Sequence, residues 1–138
     1  MSAHNRRMTE AERARKQKDV YLWASINKAK KNVKADIIEE YQKCFPAERA
    51  YQIADQVLRY KRIRNNSIIF NECMSDAGAL YLYTICRCAS AGYIHFENYF
   101  KYMMNIAVIW NWEIEREIAV FCRNKGLKRV NVDTDHRI

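Results

Sequence analysis

Three glycines and one proline in 138 residues leave this chain little with which to turn a β-sheet. Tight hairpins draw on Gly, Asn, Asp and Pro at positions of special backbone geometry, whereas long helices need none of them. The sequence therefore predicts an all-α fold, a single compact bundle of five or six helices. The apolar content is sufficient for one core: 49% of the residues are hydrophobic, with nine Tyr, five Phe and three Trp.

Helical periodicity divides the chain. Thr9-Glu10-Ala11-Glu12 fits a capping box opening a first helix that runs to about Lys31. Its first half, Glu10 to Asp19, is almost devoid of apolar residues and is expected to project into solvent. Its second half carries Leu22, Ile26, Ala29 and Val33 at spacings of four, three and four, an apolar stripe that can dock. A second helix is expected from Lys34 to Cys44, with Ile37, Ile38, Tyr41 and Phe45 inward. Pro46 suits the first turn of a third, buried through Ala50, Ile53, Ala54, Val57 and Leu58. Ile68-Ile69-Phe70 reads equally as a short strand or a helix start. Ser75 or Asp76 is expected to cap a fourth helix ending at Gly92, apolar on nearly every side and so central. A fifth begins near His95 and keeps the three-four rhythm through Phe96, Phe100, Met103, Met104, Ala107 and Val108. Trp112 to Lys125 repeats it with Ile114, Ile118, Phe121 and Cys122, as a sixth helix or a continuation bent near Asn111. Residues 1–34 are thus a basic arm, 35–127 a helical core and 128–138 a polar tail.

The residues that carry chemistry do not assemble into a catalytic pattern. Cysteines stand at 44, 73, 86, 88 and 122, an odd number in apolar stretches, and the polar basic N-terminus does not read as a secretory leader. Both features suggest reduced thiols and a cytoplasmic location. Cys86 and Cys88 are too close in sequence, and on a helix too divergent, to share a metal ion. His4, His95 and His136 have no ligand spacing. Gly92 to Asn98 resembles the second half of a calcium loop, but such a loop would begin at Arg87 and need acids at Ala89, Ala91 and Asn98, and has none of them. Glycine phosphate loops and hydrolase motifs are absent. A Cys73/His95 nucleophile pair lacks an activating neighbour, and Glu39, Glu40, Glu113, Glu115 and Glu117 fall on outer faces. No cofactor, metal or enzymatic activity is expected. The longest strongly apolar stretch, Met103 to Trp112, is too short to span a bilayer.

Charge is the informative feature. Residues 1–34 hold ten Lys or Arg against three Asp or Glu, a balance of +7 out of the chain's +8. Such asymmetry suits a polyanionic partner. The candidate contact residues are Arg6, Arg7, Arg13, Arg15, Lys16, Lys18, Lys28, Lys30, Lys31 and Lys34, with a second cluster at Lys61, Arg62 and Arg64. Tyr21 and Trp23 lie beside them and could stack on bases. The expected function is non-enzymatic binding of nucleic acid, or of a complex that handles it.

In size and charge the chain resembles small helical proteins of phages and mobile elements, a likeness of style that carries over no residue. It suggests an alternative, an inhibitor or adaptor that docks on a larger nucleoprotein enzyme. Tyr93, Tyr99, Tyr102, Trp110 and Trp112 would supply its contacts. The apolar richness of the fifth helix also leaves room for a homodimer.

Overall fold

The computed structural model of the chain describes residues 3–124, and the side chains of these except residues 3–9, 11, 121, 122 and 124. Five helices account for nearly all of it: α1 (Ala3–Lys30), α2 (Ala35–Cys44), α3 (Ala47–Tyr60), α4 (Ile68–Ala91) and α5 (Phe96–Asn124). No strand occurs among the described residues. The expected all-α bundle is what the chain forms. The Gly126 helix end, the inward placing of Phe121 and Cys122, and the tail 128–138 fall outside the description.

α4 is the axis, with α1, α2, α3 and α5 all packed against it. It begins earlier than expected, and Ile68-Ile69-Phe70 is its first turn. Ser67 is the cap, its Oγ accepting from the Phe70 backbone N–H at 3.1 Å. Asp76 is therefore no cap but an interior residue, 4% exposed. α4 ends at Gly92, whose φ of 67° is the left-handed conformation that glycine adopts without penalty. α5 runs unbroken through Asn111, so the fifth and sixth segments are one helix. The Thr9 capping box is overruled as well, because α1 is already helical from Ala3.

α1 runs alongside α4 in the same direction. Lys18 meets Glu72 and Asp76 near the start of α4, and Lys30 acts on Cys86 near its end. α5 is antiparallel to α4, since Asn111 faces Cys73 and Asp76 while Tyr99 reaches Arg87. The expected stripe docks: Leu22, Ile26 and Ala29 are buried and Val33 is half-buried. The first half of α1 does not stand off as expected. Ala14 packs against Ile114 and Ile118 of α5, and Lys18 is 1% exposed. The stripe continues toward the N-terminus through these two positions at the same helical spacing.

α2 is shallower than its pattern implied. Ile37 is exposed, and Ile38 and Tyr41 are only half-buried. What holds this side is the joint between α2 and α3. Phe45 stacks on Phe96 at 5.7 Å, and its carbonyl accepts a 2.7 Å hydrogen bond from the Tyr81 hydroxyl. α3 ends by a hydrogen-bonding device that usually employs glycine. Ile63 N donates to Leu58 O and Arg62 N to Arg59 O, with Arg62 at φ 59° and Ile63 buried over Leu58.

Arg49 clamps α3 to α5 by two parallel hydrogen bonds to Glu97, 3.1 and 2.9 Å. These bonds hold the Glu97 carboxyl below its ordinary value of 4.5. A carboxyl depressed in the fold contributes stability above its unfolded pKa and loses it as pH falls. Glu97→Gln should therefore be less stable than the parent near neutral pH. The gap should close in unfolding curves taken well below pH 4.5. A gap independent of pH would rule out the ion pair as its origin.

Candidate functional site

The thirteen basic residues singled out from the sequence do not form one surface. The side chains of Arg6 and Arg7 lie outside the described ones. Arg13 is exposed and pairs with Glu10 at 3.0 Å. Arg15 turns inward, its Nε 3.2 Å from Glu72 and its Nη2 bonded to Glu115. Lys18 is removed from any surface role. Its ammonium is spent inside the fold on Asp76 at 2.9 Å, Asn111 Oδ1 at 2.8 Å and Glu72 at 3.3 Å.

The rest fall in three places. Lys16 is exposed on the outer side of α1. Lys28, Lys30, Lys31 and Lys34 are exposed at the C-terminal end of α1, alongside the end of α4. Lys61, Arg62 and Arg64 occupy the turn before α4 begins. A helix of 24 residues, the length of α4, separates its ends by roughly 36 Å. The two clusters therefore face different ends of the bundle.

Trp23 and Val20 share the outer side of α1 with Lys16, Asn27, Lys30 and Lys31, Trp23 being 47% exposed. Glu12 and Asp19 are the acids on that side. No carboxylate among the described residues pairs with Lys16, Lys28, Lys30, Lys31 or Lys34. Tyr21, the other aromatic considered for stacking, packs edge-on against Trp110 at 5.5 Å.

A second feature lies in the interior, at positions the basic pattern does not single out as a pair. Lys18, Asp76 and Asn111 make a buried polar seam where α1, α4 and α5 meet. Asn111 Nδ2 gives hydrogen bonds to Asp76 Oδ2 at 3.0 Å and to the Ala107 carbonyl at 2.9 Å, and lies 3.5 Å from Cys73 Sγ. Burial pushes the Asp76 carboxyl up, against the pull of its bonds from Asn111 and Lys18. Beside the seam opens a cavity of about 170 Å³ between the same three helices. Its walls include Tyr21, Leu22, Ser25, Leu80, Ile106 and Trp110, with Asp76 among them.

The Cys73/His95 pair does not exist. Burial pushes the Cys73 thiol up to about 12, the reverse of activation, and Cys73 bonds to Asn111. His95 instead packs edge-on to Tyr93 and shares a shallow open hollow with Cys44. Cys86 and Cys88 are buried as packing residues. Among the described residues no group of three metal-ligating side chains comes together, and no helix is long and apolar enough to cross a membrane.

The signal for the seam was present in the sequence. Lys18 stands four residues before Leu22 on the docking stripe, and Asp76 sits in a helix with no polar face. Two opposite charges at buried positions of two helices imply a pair. No family model, curated protein or solved structure matches the chain.

Proposed function

We propose that the chain is a non-enzymatic, cytoplasmic nucleic-acid-binding protein that engages its target through the outer side and C-terminal end of α1. The observation that carries this reading is the set of exposed lysines, Lys16, Lys28, Lys30, Lys31 and Lys34. Among the described residues they have no acidic partner, and Lys16, Lys30 and Lys31 share their side of the chain with the exposed ring of Trp23. Lysines on one side of a helix neutralise successive phosphates and release counterions. An exposed indole between them stacks on an unpaired base, which favours single strands. Arg15 and Lys18 take no part, being matched inside the bundle. Arg62 fits as a secondary contact. It holds a left-handed conformation that costs a side-chain-bearing residue about 1–2 kcal/mol and would suit glycine better.

The test is the salt dependence of binding to labelled single-stranded RNA and duplex DNA of about two helical turns. The logarithm of affinity should fall linearly with the logarithm of salt. The quadruple variant K28Q/K30Q/K31Q/K34Q should flatten that slope by about 3, four phosphate contacts at roughly 0.7 to 0.9 each. It should leave the melting temperature in place. Absent or salt-insensitive binding would defeat the reading.

The outer side of α5 supports a second reading. Tyr102, Ile109, Trp112 and Val120 are exposed there, with Glu113, Arg116 and Glu117 exposed among them, on a helix whose other side is core. A protein partner, either a larger nucleoprotein enzyme or a second copy of the chain, would cover it. Of the other aromatics considered as contacts, Tyr93 is exposed, whereas Tyr99 and Trp110 are half-buried.

A further inference from the structure

The cavity between α1, α4 and α5 combines three properties seldom found in a packing defect. It is walled by aromatic and aliphatic side chains, with Tyr21 and Trp110 set edge to face at 5.5 Å. Tyr21 is 63% exposed, so the wall it forms reaches solvent and supplies an entry path. The wall also contains one carboxylate, Asp76, which is 4% exposed. Both of its hydrogen bonds, from Lys18 and Asn111, go to Oδ2. Oδ1 receives no donor among the described residues. An acceptor left open inside a protein is costly, and a donor that reaches it is held firmly.

Size narrows the ligand. At about 170 Å³ the space is close to that of apolar cavities of about 150 Å³ that take up benzene. The walls favour an aromatic ring, and Oδ1 favours one N–H or O–H upon it. We propose that this cavity is a binding site for a small aromatic molecule carrying a single hydrogen-bond donor, of the phenol or indole class, with the donor directed at Asp76 Oδ1. The site is separate from the outer lysines of α1, so its occupancy and nucleic-acid binding can be tested apart.

A matched pair of ligands isolates the carboxylate. Phenol and toluene have the same shape, but transfer out of water favours toluene because its methyl group loses no hydrogen bond. A site that merely buries apolar surface therefore prefers toluene. In amide-resolved NMR titrations of the full chain, phenol should give saturable shifts at Ser25, Leu80 and Ile106. It should bind about tenfold more tightly than toluene. Ser25→Leu adds bulk at the wall and should abolish binding of both. The triple variant K18M/D76L/N111L replaces the polar seam by apolar side chains and should reverse the preference in favour of toluene. Absence of a saturable shift with either ligand would overturn the site. Equal or tighter binding of toluene to the native chain would overturn the role of Asp76.

Discussion

Lys18→Met should destabilise the bundle by about 3–5 kcal/mol, although it exchanges a lysine for an apolar side chain of similar length. The lysine is 1% exposed, and its ammonium lies between Asp76 and Asn111. Without it the Asp76 carboxylate stays buried with only the Asn111 amide to solvate it, and Asn111 Oδ1 loses its donor. The cost is the stranded charge rather than the intrinsic worth of the pair, because water has already been given up on both sides. Asp76→Leu should cost a similar amount, somewhat relieved by Glu72, which stays 3.3 Å from Lys18. The triple variant K18M/D76L/N111L should recover to within about 1 kcal/mol of the parent, since buried ion pairs replaced by packed apolar groups are often neutral or better. Urea unfolding of the parent, both single variants and the triple variant, with unchanged m-values, checks the whole set. Single variants within 1 kcal/mol of the parent would show that the seam is hydrated and dispensable.

That seam also marks where the sequence ceased to be legible. The docking stripe of α1, the centrality of α4, the rhythm of α5 and the stop at Gly92 could all be read, because each rests on local periodicity or on one residue's backbone preference. A lysine on an amphipathic helix usually faces solvent, and the acid that compensates Lys18 stands 58 positions away. Serine and aspartate usually begin helices, which favours Ser75 or Asp76 as a cap, but Ser67 already begins this one. Pairing across helices is a property of the tertiary fold. It surfaces in sequence only when a charge interrupts an otherwise apolar stripe. The exposed lysines of the proposed surface show the reverse: they stand in the same basic run of sequence as cations that turn inward. Charge counts do not separate Lys16 from Lys18, two residues that helical geometry places on different sides.

Phe45→Ala should be the other large loss, about 3–5 kcal/mol, on the opposite flank of α4. The ring is 2% exposed and touches Phe96, Tyr81 and Phe100, at 5.7, 5.7 and 6.0 Å. α2 itself buries no residue completely, so this one side chain between α2 and α3 carries most of what fixes the joint. The backbone carbonyl of Phe45 keeps its bond from Tyr81 in the variant only if the joint stays in place. The melting temperature should fall by on the order of 10 °C or more for a domain of this size. Phe45 and Lys18 have no partner in common. The losses from Phe45→Ala and Lys18→Met should therefore add to within about 0.5 kcal/mol, as they do for independent sites. That sum could consume the whole stability of an ordinary domain, about 5–15 kcal/mol, so the cycle is best measured in a stabilising osmolyte. Strong coupling between the two would mean that α4 transmits a shift from its aromatic flank to its polar seam. Phenol affinity would then respond to Phe45→Ala. Additivity predicts that it stays at the parent value.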